Sequence, residues 1–208
     1  MAWKIFRVMG EFTEGFEFIS TLKKPVTIFG SARFKSDNKW YKEAEKLGRL
    51  LSRAGYDVIT GGGPGIMEAA NKGAAVDSGK GDSVGLNIQL PREQRANLFV
   101  DRSIAFHYFF TRKVCMSFAA VAYVYFPGGF GTMDELFELT VLVQTGKIEP
   151  VPIVVVGKDF FDSLMDFVDK KMIKKYRVVS PKELSLIKVV DNAEEAFKYI
   201  KKTTRRKK

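Results

Sequence analysis

Two glycine-rich segments could bind an anion. Residues 61–65 read GGGPG and residues 127–131 read PGGFG, and each stands between an apolar run and a stretch with helical periodicity. Glycine leaves the backbone N–H groups uncovered, and a helix that begins just after the loop adds the positive end of its dipole. Each segment therefore predicts a phosphate-binding loop.

The second loop also allows a purely structural interpretation. Thr132 is predicted to be the N-cap of a helix over 132–145, with Glu135 as its capping-box partner. The threonine and glutamate would then only cap a helix, and the glycines would only form its turn. The recurrence of strand, glycine loop and helix in DVITGGGPGIMEAANKG favours a ligand with more than one polar part. In that segment Met67 is predicted to lie in the core or in the wall of a pocket.

Several common kinds of chemistry do not fit these loops. Glu68 and Asp134 stand where the dinucleotide fingerprint G-x-G-x-x-G needs its third glycine, and no G-x-x-x-x-G-K-[ST] segment occurs. One histidine and one cysteine are poor material for a zinc site. We therefore predict no NAD site, no P-loop and no metal, and we expect no cofactor.

Two adjacent cations, Arg112 and Lys113, interrupt an otherwise largely apolar stretch. An unpaired buried charge is costly, so the pair needs a partner. One interpretation is a structural ion pair with Asp134, Glu135 or Glu138. The other is a cationic group that faces a phosphate or a ribose, for which arginine is suited by its planar donors.

Two other residues that often carry chemistry have a structural interpretation here. His107 lies among aromatic residues at the start of a predicted buried helix, which favours a packed or hydrogen-bonded histidine. Cys115 stands between Val114 and Met116, which favours an inert core thiol.

The elements that must position these residues alternate along the chain. Short β-branched runs predict strands at 26–29, 57–59, 83–88, 98–100, 122–126, 153–156 and 186–190. Helices are predicted at about 5–22, 39–54, 65–78, 105–120, 132–145, 159–174 and 192–202. This alternation is typical of a doubly wound α/β domain with a mainly parallel sheet of about seven strands between helical layers. In such a sheet the ligand crevice lies at the carboxyl ends of the strands, where the strand order reverses.

Length and charge limit the class of protein. The 208 residues fit one domain, which we place at 1–197, followed by a basic tail at 198–208. The formal net charge of +10 is concentrated in that tail, which holds seven bases and no acid. A solvated tail is the favoured interpretation, and contact with RNA, an acidic partner or a membrane surface is the alternative. The most apolar stretch, 114–126, is too short to span a membrane, and the single cysteine fits a cytoplasmic location.

Five segments taken together resemble the LONELY GUY (LOG) family of nucleoside 5′-monophosphate phosphoribohydrolases, long labelled lysine decarboxylase-like. They are GSAR at 30–33, TGGGPGIMEAANKGA at 60–74, GLNIQLPREQ at 85–94, FHYFFTRK at 106–113 and PGGFGTMDE at 127–135. The resemblance covers about residues 8–165. It implies a Rossmann-like fold, a homodimer or an assembly of dimers, and cleavage of a purine nucleotide to free base and ribose 5-phosphate. One departure from the family pattern is Phe109 in place of a methionine before the Arg-Lys pair, which bears on the preference for the base.

The resemblance also implies roles for single residues. It places the catalytic arginine at Arg112 and the catalytic glutamate at Glu135. The substrate and its phosphate would be bound by residues from three loops and from three predicted helices: Ser31, Arg33, Gly62, Gly63, Met67, Lys113, Gly128, Gly129, Gly131 and Thr132.

Other functions remain as alternatives. The main alternative is a non-catalytic nucleotide-binding or cofactor-binding module of the same fold. A third interpretation is a protein that contacts RNA through residues 198–208. A pyridoxal phosphate decarboxylase is disfavoured, because nothing in the sequence marks its Schiff-base lysine.

Overall fold

A computed structural model describes residues 2–75, 80–89 and 96–204. Its strands are β1 (Val26–Phe29), β2 (Val58–Thr60), β3 (Ser83–Ile88), β4 (Arg102–Phe106), β5 (Ala122–Tyr125), β6 (Ile153–Val156) and β7 (Ile187–Val190). Its helices are α1 (Ala2–Ser20), α2 (Lys39–Arg53), α3 (Ile66–Ala75), α4 (Phe109–Phe118), α5 (Phe130–Gln144), α6 (Lys158–Phe167), a π-helix (Val168–Lys175), α7 (Pro181–Leu184) and α8 (Ala193–Thr204).

The strands form one parallel sheet in the order β4-β3-β2-β1-β5-β6-β7. The chain moves outward from β1 to the edge strand β4 and then returns to place β5 on the other side of β1. The strand order therefore reverses between β1 and β5, and the loops after these strands diverge and leave a crevice. The predicted doubly wound α/β fold is confirmed, and both the GSAR and the PGGFG loops lie at this reversal.

Successive side chains of a strand point to opposite faces of the sheet, so the core consists of two layers. On β5, Val124 packs on one face of the sheet against α2, α3 and α8, whereas Tyr123 and Tyr125 pack on the other face against α5 and α6. A third cluster holds α1 and α4 against β3. Helices consequently cover both faces, as a fully parallel sheet requires.

Helices α2 and α3 cross at backbone contact. A Cβ atom on Gly48 would lie 2.2 Å from the carbonyl oxygen of Ala70, and one on Gly73 would lie 1.8 Å from that of Glu45. Only glycine fits at these two helical positions. The close crossing fixes α3, and with it the glycine loop at 61–65 that leads into α3.

The prediction for residues 98–107 is wrong. The structure has no strand at 98–100, where Phe99 N–H instead bonds the side chain of Asn97 in a turn. The strand lies later, at Arg102–Phe106, and α4 begins only at Phe109. β4 is an edge strand with alternating exposure, and such a strand lacks the continuous apolar run that marks a buried parallel strand.

The end of the chain also differs from the prediction. The helix predicted at 159–174 is α6 continued by the π-helix, and the short helix α7 was not predicted. Helix α8 extends to Thr204, and Ile200 is fully buried in the core. Residues 198–204 of the basic run are therefore a packed helix. Residues 205–208 and part of the helix predicted at 65–78 lie outside the described residues, and the division into domain and tail stays a prediction.

Candidate active site

An open cleft of about 1230 Å³ lies at the reversal of strand order. Its walls come from the loop after β1, the loop after β5, the first turns of α4 and α5, and one face of α6. The structure brings most of the predicted site residues to this cleft: Ser31, Arg33, Met67, Arg112, Lys113, Gly128, Gly129, Gly131, Thr132 and Glu135.

Helix α5 begins at the cleft with free amides. Its N-cap is Gly129, no side chain caps it, and its first backbone bond joins Met133 N–H to Gly129 O at 3.1 Å. The preceding N–H groups have no partner inside the helix. A Cβ atom on Gly129 or Gly131 would meet nothing within 4 Å, so no neighbouring group fills the space where a side chain at these two positions would lie. The start of α5 is thus arranged to accept an anion.

The prediction of Thr132 as an N-cap with Glu135 in a capping box is wrong. The helix starts two residues earlier because Gly129 takes the extended N-cap conformation. Thr132 is buried in the first turn, where its hydroxyl closes the space beside Gly128. The glutamate side chain is therefore not used as a cap.

The loop after β1 is tied to the loop after β5. Ser31 N–H donates to Pro127 O at 3.1 Å, and the Ser31 hydroxyl accepts from the backbone N–H of Arg33. Arg33 is exposed and lines the same cleft. The two loops therefore bring a cation to the same cleft as the start of α5.

Gly62 and Gly63 are placed differently from the other predicted residues. Both are buried and neither lines the cleft. Asn97 donates from its backbone to Gly62 O and from its side chain to Gly63 O, at 2.9 and 3.1 Å. Gly62 has φ +71° beside the Asn87 side chain, which excludes any larger residue. Their predicted contact with substrate stays a prediction.

A buried polar network behind this loop was missed by the sequence analysis. Asn71 is fully buried, and its side-chain oxygen accepts from Thr60 at 2.6 Å and from Asn97 at 3.0 Å. Its amide group donates to Ser83 at 2.9 Å. The sequence signal was Asn71, which stands in a helical stretch rich in small residues, AANKGA at 69–74. A side-chain amide that is buried in such a stretch must find hydrogen-bond partners.

Arg112 reaches the cleft from the first turn of α4. Its Nε donates to Leu86 O at 2.8 Å, and a Cβ atom on Gly61 would lie 2.3 Å from one of its terminal nitrogens. The sulfur of Met67 flanks the same glycine. Burial lowers the pKa of Arg112, although arginine remains charged in proteins. Because Gly61 has no side chain, the guanidinium of Arg112 has room to pass beside it.

Lys113 fits the interpretation of a structural ion pair. Its ammonium lies 2.7 Å from Asp134 and 3.0 Å from Glu138. Burial opposes its charge, but these two carboxylates outweigh burial and raise the pKa of Lys113. Of the two predicted alternatives, Lys113 therefore forms the ion pair and Arg112 faces the cleft.

Glu135 lies in the first turns of α5 and lines the cleft with Arg112. Burial raises the pKa of Glu135 to about 7, with Lys113 and Arg112 opposing the rise and Glu138 adding to it. The two cations lower the pKa of Glu135, but the effect of burial is larger. A carboxyl group with this pKa exists in both protonation states near neutral pH.

His107 and Cys115 both lie close to Arg112 in the sequence but differ in exposure. His107 is exposed between β4 and α4, so its predicted position at the start of a buried helix is wrong, although its ring packs against that of Tyr108 with 4.8 Å between centroids. Cys115 is buried, and burial raises its thiol pKa to about 11, which confirms an inert core thiol.

Exposed aromatic side chains form a rim that the sequence analysis missed. The rim consists of four phenylalanines that line the cleft and are 43–96% exposed: Phe109, Phe110, Phe130 and Phe160. Exposed apolar groups beside a polar cleft are typical of a ligand site. The signal was their position next to the glycine loop and the Arg-Lys pair.

Residues 2–75, 80–89 and 96–204 contain neither a metal-binding cluster nor a membrane-spanning helix. No group of three or more His, Cys, Asp or Glu side chains there could hold a metal ion. No helix in the same ranges has the length and apolar character that crossing a bilayer requires.

The family model described as "possible lysine decarboxylase" matches residues 67–200. The chain belongs to this family, which includes the LOG proteins. A probable cytokinin riboside 5′-monophosphate phosphoribohydrolase of Oryza sativa subsp. japonica is 32% identical over 157 residues, 73% of this chain and 61% of that protein. A cytokinin riboside 5′-monophosphate phosphoribohydrolase of Arabidopsis thaliana is 29% identical over 187 residues, 87% of this chain and 82% of its own length.

Solved structures share the fold. The structural-genomics protein TM1055 superposes with a TM-score of 0.63 at 23% identity, over 86% of this chain and 99% of its own. A molybdenum cofactor carrier protein from Chlamydomonas reinhardtii superposes with a TM-score of 0.60 at 20% identity, over 86% and 97% of the two chains.

Proposed function

We propose that the protein hydrolyses the N-glycosidic bond of a purine nucleoside 5′-monophosphate, releasing the free base and ribose 5-phosphate. One observation carries the proposal: Glu135 and Arg112 line the same cleft as the uncapped start of α5. An anion site, a cation and a carboxyl group with a raised pKa are thereby combined at the point where this fold binds ligands.

The phosphate is assigned to the start of α5. The amides of 129–132 and the side chains of Ser31 and Arg33 surround this point. One helix terminus contributes only about 0.3–2 kcal/mol to a charge interaction, so Arg33 and several N–H bonds must act together. The 5′-phosphate takes no part in bond cleavage, but binding it positions the ribose against Glu135.

Glu135 is assigned to the anomeric carbon. Cleavage of a glycosidic bond develops positive charge on the sugar, and a nearby carboxylate stabilises that charge. The ionised group can also take a proton from the attacking water. Arg112 is assigned to polar groups of the ribose or base, held by its bond to Leu86 O. The phenylalanine rim would contact the base, which suits an adenine or a prenylated adenine.

The first test compares AMP with adenosine. We expect AMP to release adenine with a kcat/KM at least about 10²-fold above that of adenosine, because adenosine lacks the group bound by α5. Free adenine is followed by chromatography on purified protein. Equal turnover of the two would remove the phosphate assignment. Binding of AMP without adenine release would identify a non-catalytic nucleotide-binding module instead.

The second prediction concerns pH. Because Glu135 has a pKa of about 7 and acts when ionised, kcat/KM for AMP should rise with pH through neutrality and then level off. The ionised fraction predicts a rise of about fourfold between pH 6.5 and pH 8.5. This range lies above the second phosphate ionisation, which is at about 6 for phosphate monoesters. A profile that falls over this range would instead assign Glu135 the role of a general acid.

Two further parts of the proposal rest on the family resemblance and on composition. We infer a homodimer or an assembly of dimers, to be checked by light scattering on the purified chain. A cytoplasmic location is proposed because the buried, unpaired Cys115 suits a reducing compartment.

A further inference from the structure

Helix α4, which carries Arg112 and Lys113, has no cap of its own. Its N-cap position is Tyr108, and no side chain of that residue bonds the helix start. The N–H groups at the start of a helix need partners from elsewhere. In this protein a carboxylate from a distant part of the chain binds the N-cap residue and the residue before it.

That carboxylate belongs to Glu11 of α1. One carboxylate oxygen accepts from the backbone N–H of His107 at 2.8 Å. The other accepts from the backbone N–H of Tyr108 at 3.3 Å and lies 2.5 Å from the Thr111 hydroxyl. Burial alone would raise the pKa of Glu11, but these hydrogen bonds and the nearby His107 outweigh it and lower the pKa. The carboxylate is thus held in its charged form at the positive end of α4.

Helix α1 is seated closely enough to make this cap rigid. A Cβ atom on Gly15 would lie 2.7 Å from the Cys115 sulfur and 3.0 Å from the Phe106 ring, so the helix backbone lies directly on α4 and on the end of β4. Gly15 follows Glu11 by about one turn on the same face of α1. The contact therefore restricts where the Glu11 carboxylate can be.

The capped turn leads directly to the cleft. Thr111, which contacts Glu11, is fully buried and immediately precedes Arg112. The Arg112 side chain passes through a channel so narrow that one added methyl group at Gly61 would contact it at 2.3 Å. A small rotation of the first turn of α4 would therefore move the guanidinium away from Leu86 O and change its position in the cleft.

We propose that Glu11 is a positioning residue for the cleft: by capping α4 across the two helices, it sets the direction in which Arg112 enters the site. This inference rests on the proposed function, since the position of Arg112 matters only if Arg112 contacts the substrate. It assigns α1 a role in the reaction although α1 supplies no residue to the cleft wall.

The test uses Glu11→Gln, which keeps the shape of the side chain and removes its charge. Glu14→Gln is the matched control, because Glu14 is exposed on the same helix. We expect Glu11→Gln to lower kcat for AMP by about 10- to 100-fold, the scale of a misplaced catalytic group. We expect Glu14→Gln to remain within about twofold of wild type. Equal activity of the two variants would overturn the proposal.

A double-variant comparison separates positioning from general loss of structure. If Glu11 acts through Arg112, adding Glu11→Gln to Arg112→Ala should lower kcat by less than about twofold more. If Glu11→Gln lowers kcat by the same factor in Arg112→Ala as in wild type, Glu11 acts on the whole fold and not through Arg112. Thr111→Ser, which keeps the hydroxyl, should retain more activity than Thr111→Val, and the reverse order would contradict the cap.

Hydrogen exchange of backbone amides tests the contact between Glu11 and the start of α4 without measuring turnover. In Glu11→Gln the amides of His107 and Tyr108 should exchange at least about tenfold faster, with no such change in Glu14→Gln. If wild type releases no adenine, the proposed function fails while this measurement still tests the cap. Unchanged exchange at both amides would overturn the cap even in an active enzyme.

Discussion

Glu135→Gln should lower kcat for AMP by at least about 10²-fold, the usual scale for loss of one positioned catalytic group. The amide has nearly the shape of the carboxyl group but cannot carry the negative charge that the proposed mechanism places beside the developing cation on the ribose. The rise of kcat/KM with pH through about 7 should also disappear, because the residue that titrates has been removed.

Adenine release under saturating AMP measures this effect, and calorimetric titration with AMP shows whether binding is retained. Glu149→Gln is the matched control, since Glu149 is an exposed glutamate outside the cleft. Its activity should stay within about twofold of wild type. If Glu135→Gln keeps wild-type turnover, the chemistry belongs to another residue of the cleft.

Arg112→Ala should also lower kcat/KM for AMP by at least about 10²-fold. Arg112→Lys should restore less than a tenth of the lost activity. A lysine ammonium does not reproduce the fork in which Nε donates to Leu86 O while the terminal nitrogens face the cleft.

The pH profile supplies a second measure for Arg112. Arg112 lowers the pKa of Glu135, so Arg112→Ala should raise that pKa and move the midpoint of the profile to higher pH. Arg7→Ala, at an exposed arginine of α1, is the control and should leave both the rate and the midpoint unchanged. A midpoint that stays in place in Arg112→Ala would mean that Arg112 and Glu135 do not interact electrostatically in solution.

Much of the fold is encoded in local patterns. The β-branched runs at 26–29 and 153–156 coincide with β1 and β6, and the glycine-rich loops fall where parallel strands end. A parallel sheet buries its strands on both faces, so such strands are recognisable as short apolar runs. The edge strand β4 is half exposed, and its polar alternation carries a weaker signal.

The site was predicted less completely because it depends on contacts across long separations. Residue types and the family resemblance pointed to Arg112 and Glu135, but the pKa of Glu135 follows from burial, which no local pattern reveals. The cap from Glu11 to α4 joins residues about 100 positions apart. Gly62 and Gly63 resemble the other glycine loop in sequence, yet Asn97 holds them away from the cleft wall.

The glycines inside the helices are not interchangeable. Intrinsic propensity favours alanine over glycine in a helix interior by about 1 kcal/mol, which would recommend the same replacement at Gly10, Gly48 and Gly73. Only Gly10 has free space around a new methyl group; at the other two the methyl would enter the backbone of the neighbouring helix. A thermostabilised version of this protein should therefore carry Gly10→Ala, while Gly48 and Gly73 at the crossing of α2 and α3 must stay glycine.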